Sequence, residues 1–326
     1  MKAKLLELLR QTDGYVSGQE LCERFGVSRT AVWKAVRSLE EDGYVIEAVR
    51  NRGYHLTEEP DILTKESCAS HITTEWAGKY LEVYEEIDST NRRARQLGEG
   101  GAPHGTLVTA DSQTAGKGRR GRSWVTPRGS ALAFSLLLRP TLPPEHVSMI
   151  TLVSALAVSQ AIDEMTGLQT QIKWPNDIVY NRRKLCGILT EMSTELSLIH
   201  YVVTGIGINV HITNFPEELA EKATSLYLAC GRHISRSALL GLIMRYYEKY
   251  YEQFAADGDL RSLRAVYEEK LAGKGDTVSI ISDSGERRGT CLGITDLGAL
   301  RVAFEDGADE EIISGEVSVR GIYGYI

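Results

Sequence analysis

The chain has 326 residues, 42% hydrophobic and 25% charged, which is the make-up of a globular protein with room for two or three domains and a substantial core. Its formal net charge of −7 excludes a protein that coats nucleic acid by bulk charge, so any such contact has to come from a local basic patch. No run approaches the roughly 18 apolar residues of a membrane span, and MKAKLLELLRQTDG is too polar for a signal peptide, so a cytoplasmic location is expected.

The first sixty residues predict three helices and a hairpin. MKAKLLELLRQ is helix-like, Ser17 and Glu20 form a capping box, Gly26 breaks the chain, and Ser28 caps a helix that runs to Gly43. On that last helix Val32, Val36 and Leu39 make the buried stripe, leaving Thr30, Trp33, Lys34 and Arg37 on the opposite face. YVIEAVRNRGYHLT then alternates as two strands around a tip carrying Arg50, Asn51 and Arg52. This is a winged helix-turn-helix, and Ser28, Arg29, Thr30, Trp33, Lys34, Arg37, Arg50 and Arg52 are its candidate DNA contacts. Residues 1–60 hold nine Lys/Arg against ten Asp/Glu, so a protein-interaction module remains open; the gathering of cations on one helix and the wing tip favours DNA. One such unit reads a short half-site, so useful affinity calls for a dimer.

TEEPDILT, residues 57–64, is acidic and contains Pro60, and reads as a linker. Beyond it YLEVYEEI, GTLVTADSQ, ALAFSLLLRP, TQIKWP, KLCGILTEMS and HYVVTGIGINV predict strands, while VSMITLVSALAVSQAIDEM and SRSALLGLIMRYYEKYYEQFAADG predict helices, a mixed α/β domain. Between two of the strands, TAGKGRRGRSW packs Lys117, Arg119, Arg120 and Arg122 among Gly116, Gly118 and Gly121 with no acid. The glycines spell G-x-G-x-x-G, but Pro127, Gly129 and a strand follow where a dinucleotide fingerprint needs a helix. A nucleic-acid backbone, the phosphates of a nucleotide and bare solvent all remain possible occupants; glycines let backbone N–H groups approach an anion that Lys and Arg neutralise. Three further groups favour a ligand. EIDSTN sets Ser89, Thr90 and Asn91 at a helix start, KWPNDIVYNRRKLCGIL sets Lys173, Asn176, Asp177 and Lys184 around a Trp-Pro turn, and GIGIN ends a strand with Asn209.

The segment from GKGDTVSII to SVRGIYGYI predicts short alternating strands parted by Ser-Gly, Asp-Leu-Gly and Glu-Asp-Gly turns, a small SH3-like barrel. The fold expected is therefore α+β and multidomain: a winged helix over 1–62, a central mixed α/β domain over 63–270 and a barrel over 271–326. Five cysteines without a C-x-x-C pair suit buried, reduced thiols, and neither H-E-x-x-H nor a P-loop occurs, so no protein-held metal is expected.

DSTN, GKGRRGRSW, KWPNDI, KLCGIL and GIGIN, in this order, resemble the biotin protein ligases. With the winged helix in front, the whole chain resembles the bifunctional bacterial biotin ligases that also repress biotin operons. That resemblance implies a central fold of the biotin/lipoate ligase type. It also implies two reactions: biotin and MgATP give biotinyl-5'-AMP, and a lysine of the biotin carboxyl carrier protein then takes the biotinyl group. It implies biotin contacts at Ser89, Thr90, Asn91, Gln113, Lys117, Gly118, Arg119 and Lys184, and ATP or adenylate contacts at Gly116, Arg120, Arg122, Trp124, Lys173, Asn176 and Asn209. Lys184 and Arg119 are expected to stabilise the reacting charges, and Asp177 to steer Mg²⁺ or the incoming lysine, or else to cap the Trp-Pro turn; Trp124 packs on the ligand or simply in the core. The tail is expected to cover the ATP side and receive the carrier protein, or to act as a stabilising lid. A ligand-promoted homodimer and operator DNA are the remaining partners implied. Lys117 stands where the family's loop usually has Arg, which keeps the charge and loses the bidentate fork. A lipoate-type acyl-adenylate ligase and a non-catalytic effector-sensing regulator share parts of the pattern; GKGRRGRSW with the winged helix favours biotin over lipoate, and KWPND with Lys184 favours catalysis.

Overall fold

A computed structural model describes the chain except residues 196–197, 283–284, 314–317 and 322–326. At the N-terminus helices α1 (Lys2–Gln11), α2 (Gly18–Phe25) and α3 (Arg29–Glu41) precede a two-stranded antiparallel hairpin, β1 (Val45–Val49) and β2 (Gly53–Glu58). The capping residues do what their chemistry allows: Ser17 Oγ accepts from Glu20 N–H, Ser28 Oγ accepts from Ala31 N–H, and Gly26 closes α2 at φ +64°. Val32, Ala35, Val36 and Leu39 of α3 bury against Leu5, Leu6 and Leu9 of α1 in a hydrophobic cluster of their own.

The connecting segment is anchored. Arg10 pairs with Glu59, and Asp61 accepts from the backbone N–H of Arg236 at 2.8 Å and from its Nε at 2.7 Å. After the short helix α4 (Lys65–Ala69) come β3 (Leu81–Ile87), α5 (Thr90–Glu99), β4 (Thr106–Gln113), β5 (Ala131–Leu138), α6 (Ser148–Thr166), β6 (Gln171–Lys173), β7 (Asp177–Tyr180), β8 (Arg183–Glu195) and β9 (Leu198–Asn209). The strands form one sheet in the order β3-β4-β5-β9-β8-β7-β6. Only β3 and β4, joined through α5, run parallel among these pairings. Alternation divides the sheet's faces: Val108, Leu137 and Val203 meet Ala94 of α5, while Leu107, Leu136 and Val202 belong to the main core.

Two short helices, α7 (Glu217–Ala220) and α8 (Leu226–Cys230), lead to α9 (Arg236–Asp257) and α10 (Arg264–Lys270). Helices α6 and α9 pack together beneath the sheet. The segment Pro144–Thr166, of which α6 is most, corrects one expectation, since it is long and apolar enough to cross a membrane. Its Ser and Thr side chains interrupt the run when read letter by letter, yet they bond internally, Ser154 Oγ to Ile150 O and Ser159 to Thr170, so the helix is the buried core of this domain.

The C-terminal strands β10 (Thr277–Ser282), β11 (Gly285–Ile294), β12 (Leu300–Phe304), β13 (Asp309–Ile312) and β14 (Ser318–Gly321) form a five-stranded antiparallel sheet in the order β13-β12-β11-β10-β14. The end of the expected last strand, IYGYI, lies outside the described residues. Val278, Ile280, Cys291, Ile294, Leu300 and Val302 join the same apolar cluster as the central sheet, and Trp174 Nε1 donates to Gly298 O at 3.0 Å. The small sheet is thus built onto the central core, and the winged helix keeps a core of its own.

Candidate functional site

A cavity of about 470 Å³, part of it open to solvent, lies where the β3–α5 junction, the β4–β5 loop and the strands β8 and β9 converge. At its closed end Ser89, Thr90 and Asn91 begin α5 and are all buried. Ser89 is the N-cap and its Oγ accepts from Arg92 N–H, so α5 starts with the positive end of its dipole at the cavity. Gln113, the last residue of β4, accepts from Thr90 N–H at 2.9 Å and donates from Nε2 to Thr126 Oγ1 at 2.9 Å.

The β4–β5 loop forms the cavity's side. It contains one 3-10 turn at Arg119–Gly121 and no longer helix, as expected from Pro127 and Gly129. The loop bonds to itself, Gly118 N–H to Arg122 O at 2.7 Å and Trp124 N–H to Gly116 O at 2.9 Å, with Arg120 and Gly121 both at positive φ. Lys117, Gly118, Arg119 and Trp124 thereby reach the cavity wall. Arg119 is half-buried; its Nη1 donates to Asn176 Oδ1 at 2.9 Å, and burial pulls the guanidinium below its ordinary pKa while nearby Asp177 opposes the fall. Asn176 in turn donates to Ile188 O at 3.1 Å and to Asp177 Oδ1 at 3.2 Å, and Lys184 Nζ meets Asp177 Oδ1 at 2.6 Å. The bond between Trp174 and Pro175 is cis. Asp177 therefore sits between two cations that border the cavity, a fixed electrostatic frame that favours a ligand with anionic oxygens.

The floor was not legible as a binding surface. Gly187 of β8 and Gly205 and Gly207 of β9 line it, with Ile188, Leu189 and Ile206 beside them. A Cβ on Gly207 would stand 2.3 Å from the Trp124 ring, and one on Gly205 2.0 Å from Asn91 Oδ1, so only glycine admits these neighbours. KLCGIL and GIGIN display the glycines, but only the register Gly187↔Gly207 sets the bare strands side by side. Lys184 Nζ lies 5.8 Å from the Trp124 ring centroid, and Trp124 Nε1 is buried with no hydrogen-bond partner.

Several candidates lie off this cavity. Asp177 stands behind Lys184, and Lys173, in the strand before the cis bond, is not on the wall. Arg120 and Arg122 are exposed on the outer side of the loop. Gly116 is buried where a Cβ would press on Trp124 O at 2.5 Å. Asn209 is also buried, donating to Thr224 O at 3.1 Å and Lys184 O at 3.5 Å, and so it ties the strand end to the backbone of the lysine. Cys186, two residues from Lys184, is buried and its thiol is pushed upward by desolvation, an inert neighbour rather than a nucleophile.

At the other end of the chain Thr30, Trp33, Lys34 and Arg37 share the exposed face of α3, and Arg50 and Arg52 flank Asn51 at the wing tip. Arg29 donates to Gln19 at 3.1 Å, Arg37 lies over Trp33 at 5.6 Å and pairs with Glu40, and Arg52 lies over Tyr15 at 4.3 Å. The Ser28 hydroxyl is engaged in its cap. Among the described residues no cluster of three His, Cys, Asp or Glu is placed to hold a metal ion.

Comparisons with known proteins follow the same division. Residues 83–209 match the model of the biotin/lipoate A/B protein ligase family, residues 2–55 a helix-turn-helix domain and residues 275–320 the biotin protein ligase C-terminal domain. The chain is 38% identical over 322 residues, 98% of either chain, to the bifunctional ligase/repressor BirA of Bacillus subtilis. It is 29% identical over 318 residues to the protein of that name from Escherichia coli, covering 97% of this chain and 96% of that one. Among solved structures, the biotin protein ligase of Aquifex aeolicus in complex with biotin and ATP superposes with a TM-score of 0.66 at 32% identity, covering 74% of this chain and 99% of that one.

Proposed function

Because the chain belongs to the bifunctional biotin protein ligase and repressor family, we propose that it joins biotin to a carrier protein and uses the intermediate of that reaction to govern its own binding to DNA. The observation that carries the first half is the cavity itself: a closed polar end at Ser89, Thr90 and Gln113, and a rim set with Arg119 and the Lys184–Asp177 pair. Biotin is a urea at one end and a carboxylate at the other, and this arrangement is polar at one end and cationic at the other.

In the first step a biotin carboxylate oxygen attacks the α-phosphorus of ATP, an O–P bond forms, and the bond to the β-phosphate oxygen breaks to release pyrophosphate. Two anions have to meet, so cations fixed at the reacting centre favour the transition state over the separated substrates. Lys184 Nζ, held by Asp177, has that role, and Arg119 lies beside the developing phosphate charge, with Asn176 fixing its guanidinium. Mg²⁺ enters with the nucleotide as MgATP. In the second step the amine of a carrier lysine attacks the acyl carbon, the C–N bond forms, the acyl C–O bond to AMP breaks and the amine's proton passes to solvent; Asp177, through Lys184, fixes the charge that the carrier lysine approaches. Lys117, Gly118 and Trp124 shield the mixed anhydride until the carrier arrives. The acceptor is the biotin carboxyl carrier protein.

For the second half, the face of α3 and the wing enter DNA grooves, with two copies reading two half-sites of a biotin-gene operator. Biotinyl-AMP acts as corepressor by favouring the dimer, to the extent that it binds dimer more tightly than monomer. We divide the chain into 1–62 for DNA, 63–270 for catalysis and 271–326 for cover and carrier docking, and place the protein in the cytoplasm, where carrier and DNA both reside.

The test is to incubate the protein with biotin and MgATP, with and without a carrier domain, following pyrophosphate and carrier mass. Pyrophosphate release and a gain of one biotinyl group support the ligase; the same outcome with lipoate alone reverses the substrate. Biotin binding without pyrophosphate would make the central domain a sensor.

A further inference from the structure

A chain of hydrogen bonds leaves the closed end of the cavity and runs to a charged group outside it. Gln113 Oε1 accepts from Thr90 N–H, and it also lies 3.2 Å from Thr90 Oγ1. Thr90 Oγ1 is 2.8 Å from Ser135 Oγ, a fully buried hydroxyl on β5. Ser135 Oγ is 2.6 Å from Asn91 Oδ1, and Asn91 Nδ2 donates to Glu191 Oε2 on β8 at 2.7 Å. Arg95 lies 3.4 Å from the other oxygen of Glu191.

Each member has a limited set of donors and acceptors, so the end of the chain dictates the rest. The Glu191 carboxylate accepts, which turns the Asn91 amide so that Nδ2 faces it and Oδ1 faces Ser135. Asn91 Oδ1 can only accept, so the single Ser135 proton goes to it. Ser135 then has only lone pairs for Thr90, whose own proton is drawn inward, to Ser135 or to Gln113. What Thr90 Oγ1 shows the cavity is therefore an acceptor. Gln113, with its oxygen taken by a backbone N–H, turns its Nε2 donor away from Thr90.

We propose that Glu191, acting through Asn91 and Ser135, is a positioning residue that holds the Thr90 hydroxyl as a hydrogen-bond acceptor and so selects a ligand N–H at the closed end of the cavity. This rests on the reading of the cavity as a biotin site and names what enforces its preference for a urea N–H. The aperture is tight as well as polar: Gly205 is the residue that leaves room for Asn91 Oδ1.

The experiment compares binding of biotin with binding of its two cyclic carbamate analogues, in each of which one ureido N–H is replaced by oxygen, to the intact protein and to Glu191→Met and Glu191→Gln. An acceptor facing the oxygen analogue is repelled, while a hydroxyl free to turn tolerates it. Glu191→Met is expected to bind biotin about tenfold more weakly, the scale of one hydrogen bond, and to discriminate about tenfold less against one of the carbamates. Its KM for ATP and its kcat stay within about twofold. Glu191→Gln, which can still accept from Asn91, recovers most of the loss. Ser135→Ala is the second route to the same end, and reduced discrimination there supports the relay even if Glu191→Met folds poorly. Equal weakening of urea and carbamates, or unchanged discrimination in both Glu191→Met and Ser135→Ala, overturns it. If the unaltered protein fails to bind biotin, the reading of the cavity falls first and the relay falls with it, a result distinguishable because no variant is needed to see it.

Discussion

The molecule carries two basic regions, and they are built in opposite ways. On α3 and the wing the cations are exposed and lightly held, and the side chains of Lys34 and Arg50 make no hydrogen bond or ion pair among the described residues. In the central cavity Arg119 is half-buried and bonded to Asn176, while Lys184 is pinned on Asp177. A long polyanion gains from several mobile charges that each displace counterions, whereas a reaction at one phosphorus gains only from charges already in place. A count of Lys and Arg does not tell these apart; the partner of each charge does.

The largest break in this comparison is expected from Lys184→Ala, which should lower the rate of pyrophosphate release about 10²- to 10³-fold, as for the loss of one preorganised stabilising group. An unchanged single-turnover rate would remove Lys184 from the chemistry. Arg119→Gly should release the adenylate, so that biotinyl-AMP appears in solution and free lysines are modified; retention as in the unaltered protein would count against shielding by the loop. Gly207→Ala presses on the Trp124 ring and should cost about 1–3 kcal/mol in denaturant unfolding, the usual scale of overpacking. On the other side, Lys34→Ala should weaken DNA binding across sequences and reduce the salt slope by about one, with carrier biotinylation unaltered. The smallest effect sharpens the boundary of the site. Asn209→Ala should leave the KM for ATP within about twofold and cost about 1 kcal/mol of stability, because its amide serves the backbone of Thr224 and Lys184.

How much of this could be read from the letters depended on the distance over which the signal acts. Ser17, Ser28 and the α3 stripe act within one or two helical turns, and the structure has the caps and the buried face that those residues specify. The strand-to-strand course of the glycine loop followed from Pro127 and Gly129. The floor of the cavity did not, because Gly187 and Gly207 become neighbours only when β8 and β9 pair. The partners of Asn209 were hidden for the same reason: only the path of the chain through Thr224 sets its Nδ2 on the carbonyls of Thr224 and Lys184. The burial of α6 and the core shared by the central and C-terminal sheets likewise depend on packing between segments distant in the chain.

Arg236 joins three separated stretches of the chain. Its buried guanidinium takes Asp61 from the segment behind the winged helix, Asp111 from β4 just ahead of the glycine loop, and Ala131 O from the strand that follows the loop. Buried pairs are screened by salt far less than exposed ones. The joint between reading head and catalytic body is thus much less sensitive to ionic strength than the exposed cations of α3 and the wing. A rise in salt that loosens the grip on DNA acts at the outer surface and leaves this joint set.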